Sequence, residues 1–283
     1  MRPIRLALLC LAALLAAAAP DAASFGFDGT IVQGGLVSGT APPGTASLTL
    51  DGQPVALAGD GRFILGFDRD QGATALLVAT LRDGRAVRAE LRVAPRAWQI
   101  ERIDAPLRPG NAPSAAFLEI RKAELARIGA ARAVGASSDG WRQRFIWPVK
   151  GRISGVFGSQ RIYRGEPGAY HSGLDIAPGA GALVVAPADG IVVLAGPPMF
   201  SLEGNLVIID HGMGLNSAFL HLASTAVHSG QLVKQGQPIG TVGATGRATG
   251  PHLHWSMKWR EARIDPQMLV ADAASADEEA GRR

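Results

Sequence analysis

The chain has 283 residues, 47% hydrophobic and 18% charged, enough for one large or two modest domains with real cores. Its formal net charge of +4 includes Arg2 and Arg5 of an opening leader, and no Lys/Arg cluster interleaved with aromatics is present, which excludes a nucleic-acid surface. The one cysteine, Cys10, lies in the apolar run of that leader, so the rest of the chain can hold neither disulfides nor thiolate metal sites.

Residues 1–23 read as a signal peptide: arginines at 2 and 5, an apolar run, then small residues, with cleavage between Ala18 and Ser24. The apolar run is too short and too alanine-rich for a membrane span, so no transmembrane segment remains after cleavage. Ala7-Leu8-Leu9 lack the small residue expected just ahead of a lipidated cysteine, which argues against a lipoprotein.

Residues 24–95 carry short alternating segments (TASLTL, PVALAG, RFILGF, ALLVATL, RAELRVA) separated by Asp51-Gly52, Asp60-Gly61 and Asp83-Gly84. Asp-Gly between alternating apolar runs is a strong hairpin signal, and strands at this spacing predict a small, immunoglobulin-like β-sandwich. No acid, base or metal cluster falls in it. Its expected role is positioning, contact with a substrate strand or binding of a protein partner, and a purely structural role fits equally. Residues 96–144 form a linker: IDAPLRPGNAP is proline-rich, and a helix is predicted over about 114–134 with Ser114 as N-cap. Phe117, Ile120, Leu125 and Ile128 give that helix an apolar stripe expected to pack on a domain face, with Arg121, Lys122, Glu124 and Arg127 off it.

Residues 145–270 form the unit that carries chemistry, followed by a tail at 271–283 expected to be disordered. It holds HSGLD (His171 to Asp175), FLHL with His221, and HLH (His252 to His254). Two imidazoles and one carboxylate match a catalytic zinc site, where three protein ligands leave one position open. Strand side chains alternate faces, so His252 and His254 point the same way: one can bind metal while the other reaches water or substrate. Gly173 is expected to let the turn close so that His171 and Asp175 converge. LVVAPADGIVVLAG and NLVIIDHGMGL read as antiparallel hairpins, and His211 and His228 as solvated turn residues. In LNSAFLHLAS, strict alternation puts Ser217, Phe219 and His221 on the groove face and Ala218, Leu220 and Leu222 in the core. In the last strand His252, His254, Ser256 and Lys258 floor a groove, and Leu253, Trp255, Met257 and Trp259 plug the core. The loop GATGRATGP is no phosphate loop, because Pro251 and a strand follow it instead of Gly-Lys-Ser/Thr and a helix.

These motifs and the text around them, about residues 147 to 267, closely resemble the LytM/lysostaphin-type zinc endopeptidases that cut peptidoglycan peptides. The resemblance implies an antiparallel β-sheet peptidase domain, so the whole chain is expected to be mainly β. It implies that His171, Asp175 and His254 bind one Zn2+ and that His221 and His252 do proton and oxyanion work. It also implies that Phe219, where the family usually has tyrosine, and Tyr170 contact substrate, and that Arg161 takes the place of the arginine in the family's FGxR opening. Tyr170 or Tyr163 could donate a hydrogen bond to a developing oxyanion. With no HExxH glutamate present, a histidine must be the base. The implied substrate is a peptide of the peptidoglycan cross-link or stem, and a mild positive charge suits that anionic polymer. The leader, with no wall-binding repeats, fits a Gram-negative periplasm. In some members an upstream asparagine caps the zinc and keeps the precursor latent, a part Asn111 could play. Two other classes share parts of this pattern: a non-catalytic LytM-type scaffold that activates wall hydrolases, and a lipoyl- or biotinyl-type carrier suggested by SGQLVKQGQPIG and Lys258. Members of the scaffold class typically lack the metal ligands, all of which are present here, and Lys258 lies in a strand instead of at a hairpin tip.

Overall fold

The computed structural model describes residues 24–106 and 114–270; the expected signal peptide with Cys10, Asn111 and the expected disordered tail from 271 lie outside the described residues. The chain is mainly β, and among the described residues no helix is long and apolar enough to cross a membrane. Seven strands come first: β1 (Gly26–Asp28), β2 (Leu36–Thr40), β3 (Thr45–Leu50), β4 (Gln53–Val55), β5 (Arg62–Gly66), β6 (Thr74–Leu81) and β7 (Ala86–Arg92). They form two antiparallel sheets, ordered β1–β2–β5 and β4–β3–β6–β7. Alternation decides which side chains are inside: Ala75, Leu77, Ala79 and Leu81 of β6 are buried, and the residues between them are not. Asp51 and Gly52 join β3 to β4 with φ of 48° and 77°, the paired positive values of a type I′ hairpin turn.

The linker contributes strand β8 (Ile100–Ile103) and helix α1 (Ala115–Arg132), whose N-cap Ser114 accepts from the Phe117 N–H. Half of the expected stripe on this helix does not face inward: Ile120 and Leu125 are 52% and 55% exposed, whereas Phe117 and Ile128 are half-buried. The inward face is instead Arg121, Glu124, Ile128 and Ala131, spaced three and four apart. Both Glu203 oxygens accept from Arg121, at 2.8 and 3.0 Å, and Glu124 accepts from Arg121 and from the Ser201 N–H and hydroxyl. Ion pairing fixed the rotation of this helix against its apolar pattern. Only Ile128 and Ala131 join a small apolar cluster with Leu194, Phe200, Leu206, Ile208 and Ala218.

The remaining strands are β9 (Arg152–Gly155), β10 (Gln160–Tyr163), β11 (Glu166–Pro167), β12 (Leu174–Ala177), β13 (Leu183–Val185), β14 (Gly190–Leu194), β15 (Asn205–Asp210), β16 (Leu215–Thr225), β17 (Leu232–Val233), β18 (Pro238–Val242), β19 (Leu253–Trp259) and β20 (Ala262–Ile264). Ten of them make one large sheet, whose spine runs β17–β14–β15–β16–β19–β12–β9. β15 and β16 form the expected hairpin, but β13 and β14 do not pair: β13 lies against β18, and β14 between β15 and β17. β8 pairs in parallel with β10, so the linker adds a strand beside the loop that leads to HSGLD.

The N-terminal sheets and the large sheet share one continuous apolar core, from Phe63, Leu65 and Leu77 through to Trp255, Met257 and Ile264. At Gly66 of β5 a Cβ would come within 2.8 Å of Trp259 Cβ, so bare backbone packs on β19. Arg96 pairs with buried Asp265 at 2.8 Å, and Asp68 Oδ2 accepts the Arg263 N–H at 2.9 Å. Buried Arg69 reaches from the N-terminal unit to the Gly158 carbonyl and the Gln160 amide oxygen, its guanidinium beside the rings of Trp98 and Tyr170.

His211, expected in solvent, is fully buried. Its Nδ1–H donates to the Asp189 carbonyl at 2.8 Å, Ser217 donates to Nε2 at 2.6 Å, and Phe145 stacks edge-on at 4.9 Å. His228 is exposed, as expected. Burial pushes the His211 pKa down from 6.5 to about 4, only partly offset by the bond to the Asp189 carbonyl. A folded-state pKa below the unfolded one means that the unfolded chain binds the extra proton first. The stability that neutral His211 contributes is therefore full above pH ~6.5 and is lost as pH falls towards 4, up to about 3 kcal/mol. His211→Gln is expected to start less stable at pH 7 and to lose correspondingly less between pH 7 and 4, as urea unfolding at the two pH values would report. Equal losses in the two proteins would refute this account of His211.

Candidate metal centre

Three strands assemble the site. In the β12–β19 pair Asp175 stands directly opposite His254, and in the β12–β9 pair it stands opposite Gly155. His171 arrives from the preceding loop, pinned by its own N–H to the Ser159 carbonyl and by the Gly158 N–H to its carbonyl. Two glycines make room. A Cβ on Gly155 would lie 2.6 Å from Asp175 Oδ2, and one on Gly173 would lie 2.6 Å from His254 Nε2 and 2.7 Å from the Trp255 carbonyl. Gly173 is thus required for close approach, and not for the turn conformation expected from sequence; its φ is not in the left-handed region.

The result is a compact trio. His171 Nε2 lies 3.0 Å from Asp175 Oδ1 and 3.1 Å from His254 Nδ1, and His254 Nδ1 lies 2.8 Å from the same Oδ1. Ligands held tetrahedrally at zinc bond lengths sit about 3.3 Å apart, so these spacings fit a small divalent ion. The outer contacts agree: His171 Nδ1–H donates to the Val156 carbonyl at 3.0 Å, which leaves Nε2 as a lone pair aimed into the trio. Burial opposes ionisation of Asp175, but in the absence of metal its interactions with the His171 and His254 rings, in their protonated forms, override it and hold the carboxyl well below the usual carboxylate range. Burial dominates at His254 and lowers its pKa, which favours the neutral ligating form. At His171 burial also disfavours charge, but the adjacent Asp175 outweighs it and raises the pKa. The donor set and its geometry are compatible with Zn2+.

His221 and His252 stand beside the trio with ring centroids 4.9 Å apart, and His221 is 6.3 Å from His254. Each anchors Nδ1 on a backbone carbonyl, His221 on Thr245 at 2.9 Å and His252 on Gly250 at 2.8 Å. Each neutral ring therefore carries its proton on Nδ1 and leaves Nε2 as the acceptor. His252 Nε2 is 3.8 Å from Asp175 Oδ1. Burial, more than any neighbouring charge, lowers the His221 pKa. A cavity of about 390 Å³ takes in all five residues together with Leu202, Glu203, Arg247 and Thr249. It adjoins a wider one of about 990 Å³ bounded by Ile100, Glu101, Arg161, Tyr163 and Tyr170.

Phe219 is not at this groove. It is fully buried and packs in the main core, so the expected substrate contact is overturned. The alternation fails because His221 adopts φ of 64°, rare for a residue with a side chain, while its N–H donates to the Glu203 carbonyl. That kink brings His221 to the site, turns Leu220 towards the groove beside His254, and leaves Ser217 and Phe219 inside. Tyr170 lines the wider cavity with its ring, but its hydroxyl is engaged by Arg263 at 3.1 Å and lies 3.4 Å from Asp68. Arg161 is exposed and pairs with Glu101 of β8. Glu203 and Arg247, which border the metal groove, carried no signal in sequence because they come from loops with no metal-type spacing.

A mainly antiparallel sheet thus gathers a His-Asp-His trio and two flanking histidines in one groove, the arrangement of a metal-binding hydrolase-type domain. Residues 169–266 match the model of Peptidase family M23, and this part of the chain is a peptidase M23 domain of the LytM type. The chain is 40% identical over 135 residues to the peptidoglycan DD-endopeptidase ShyA of Vibrio cholerae, covering 47% of this chain and 31% of that one. It is 36% identical over 126 residues to the murein hydrolase activator NlpD of Escherichia coli, covering 44% and 30%. The chain thus spans less than a third of the length of either relative. It is also similar in structure to a Pseudomonas aeruginosa protein described as a candidate peptidase M23, at 28% identity and TM-score 0.66 over 86% of this chain and 96% of that one.

Proposed function

We propose that this protein is a zinc-dependent endopeptidase that hydrolyses peptide bonds in peptidoglycan cross-links or stem peptides during cell-wall remodelling. The observation that carries the reading is the trio of His171, Asp175 and His254 at mutual distances of 2.8 to 3.1 Å, with two more imidazoles beside it. In this reading those three residues hold one Zn2+, which when bound lowers the pKa of its water towards about 7 and polarises the scissile carbonyl. The protein's own groups do the rest. His221 and His252 each offer an Nε2 lone pair, so either can accept the proton of the attacking water. A histidine that hydrogen-bonds the developing oxyanion must be in its imidazolium form, because its other N–H is already committed to a backbone carbonyl. The reading extends to export through the inner membrane to the periplasm, on the strength of the leader. The N-terminal sheets would position the peptidase or meet a partner.

Similarity to NlpD favours a second reading, a scaffold that binds and activates other wall hydrolases. Digestion of purified peptidoglycan by residues 24–283, with zinc measured on the same sample, separates the two. New peptide ends and about one zinc per chain are expected. A protein that holds no zinc and releases nothing would favour the activator.

A further inference from the structure

Beyond His254 the groove continues into a recess of about 190 Å³ whose lining includes Ser172, Ser256, Lys258, Arg132 and Arg263. The two spaces share His254, Leu220 and Glu203, so the recess is the next stretch of one path. Ser256 and Lys258 follow His254 on the same face of β19, about 7 and 13 Å along the strand at ~3.3 Å per residue. Arg132 comes from the last turn of α1, on the opposite wall.

The charges in this recess do not balance. Glu203, the one acid lining it, has both oxygens occupied by Arg121. Lys258 bonds Glu261, whose carboxylate is 98% exposed at the rim, a screened pair that a competing anion can exchange. Arg263 donates to an uncharged group, the Tyr170 hydroxyl, at 3.1 Å. Arg132 makes no side-chain hydrogen bond among the described residues, and its Nε is buried without a partner. Burial pulls its pKa below the ordinary arginine value, with Glu261 and Glu203 opposing the shift and Arg263 adding to it. A buried guanidinium N–H without a partner is costly, and the planar fork of the half-buried group matches a carboxylate.

We propose that this recess is a carboxylate subsite, in which Arg132 with Lys258 and Arg263 selects peptides that carry a free acid up to about four residues from the scissile bond. The upper bound follows from the ~13 Å between His254 and Lys258 along β19, at about 3.3 Å per extended residue. The proposal rests on the peptidase reading, and it assigns α1 a share of the specificity.

The test uses the zinc-loaded protein from residue 24 and cross-linked muropeptide dimers prepared with the diaminopimelate carboxylate either free or converted to the amide. The acid form is expected to be cut with a kcat/KM at least about tenfold higher, the size of one charge-assisted contact. In Arg132→Gln and in Lys258→Gln that acid-to-amide ratio is expected to fall towards one. Lys258→Gln guards against a folding defect at the helix end. Calorimetric titration of the zinc-stripped protein with the acid and amide product peptides gives a readout independent of turnover, and the same preference is expected there. No acid preference in the wild type, or a ratio unchanged in both variants, overturns the subsite. Acid-selective binding that depends on Arg132 in a protein that cuts nothing keeps the subsite and sinks the peptidase reading.

Discussion

Asp175→Ala is expected to hold no stoichiometric zinc and to keep at most about a thousandth of the wild-type peptidoglycan-cleaving activity, while remaining folded. The reason is electrostatic as well as geometric. Asp175 Oδ1 is the atom on which both imidazoles converge, at 3.0 Å from His171 and 2.8 Å from His254. It is also the only carboxylate in the trio. Without it two neutral rings are left facing one another at 3.1 Å, with a void where the third donor stood. Asp175→Asn keeps the shape and removes the charge, so it should fall between the two. Zinc content by elemental analysis, cleavage of purified peptidoglycan and circular dichroism together check the prediction. Stoichiometric zinc with undiminished cleavage in Asp175→Ala would remove this residue from the metal site.

His252→Ala and His221→Ala are expected to do the opposite with the metal: to retain it and still lose about 10²- to 10⁴-fold in kcat, the range for removal of a positioned acid or base. Neither ring belongs to the trio, and each is held through Nδ1 by a backbone carbonyl, so deletion leaves the three donors and their supports in place. The rings are 4.9 Å apart, close enough to serve one reacting group. If they act in a single step as a unit, the double variant should be little worse than the poorer single one. Loss of zinc in either variant would show that the division of labour between ligands and proton carriers is wrong.

Much of the site could be read from spacing because β19 is a regular strand. A strict period of two predicts that His252, His254, Ser256 and Lys258 share a face, and the burial of Leu253, Trp255, Met257 and Trp259 matches it. The opposition of Asp175 and His254 was implied only by the motifs, since pairing register is a tertiary fact. β16 failed for the converse reason. A single left-handed residue, His221, breaks the period that the alternation assumed, and Phe219 went to the core with its neighbours. Helix α1 failed because the pattern counted apolar residues and ignored what the sheet offered them: an ion-pair partner, Glu203, was waiting on the other surface. His211 looked like a turn residue because it follows Asp210 and precedes glycine; the buried Ser217 and the Asp189 carbonyl that satisfy it lie at positions no local window connects.

The contact of Gly66 with Trp259 has a mechanical consequence. Trp259 lies five residues after His254 in one uninterrupted strand, and its side chain rests directly on the β5 main chain at Gly66. A load applied to the N-terminal sheets therefore reaches the strand that carries His252 and His254 through the close-packed, buried Trp259 side chain. Arg69, gripping the Gly158 carbonyl, provides a second stiff strut to the loop before His171. The seven leading strands act as a handle welded to the strand that carries His254 of the trio, so whatever holds them also aims it.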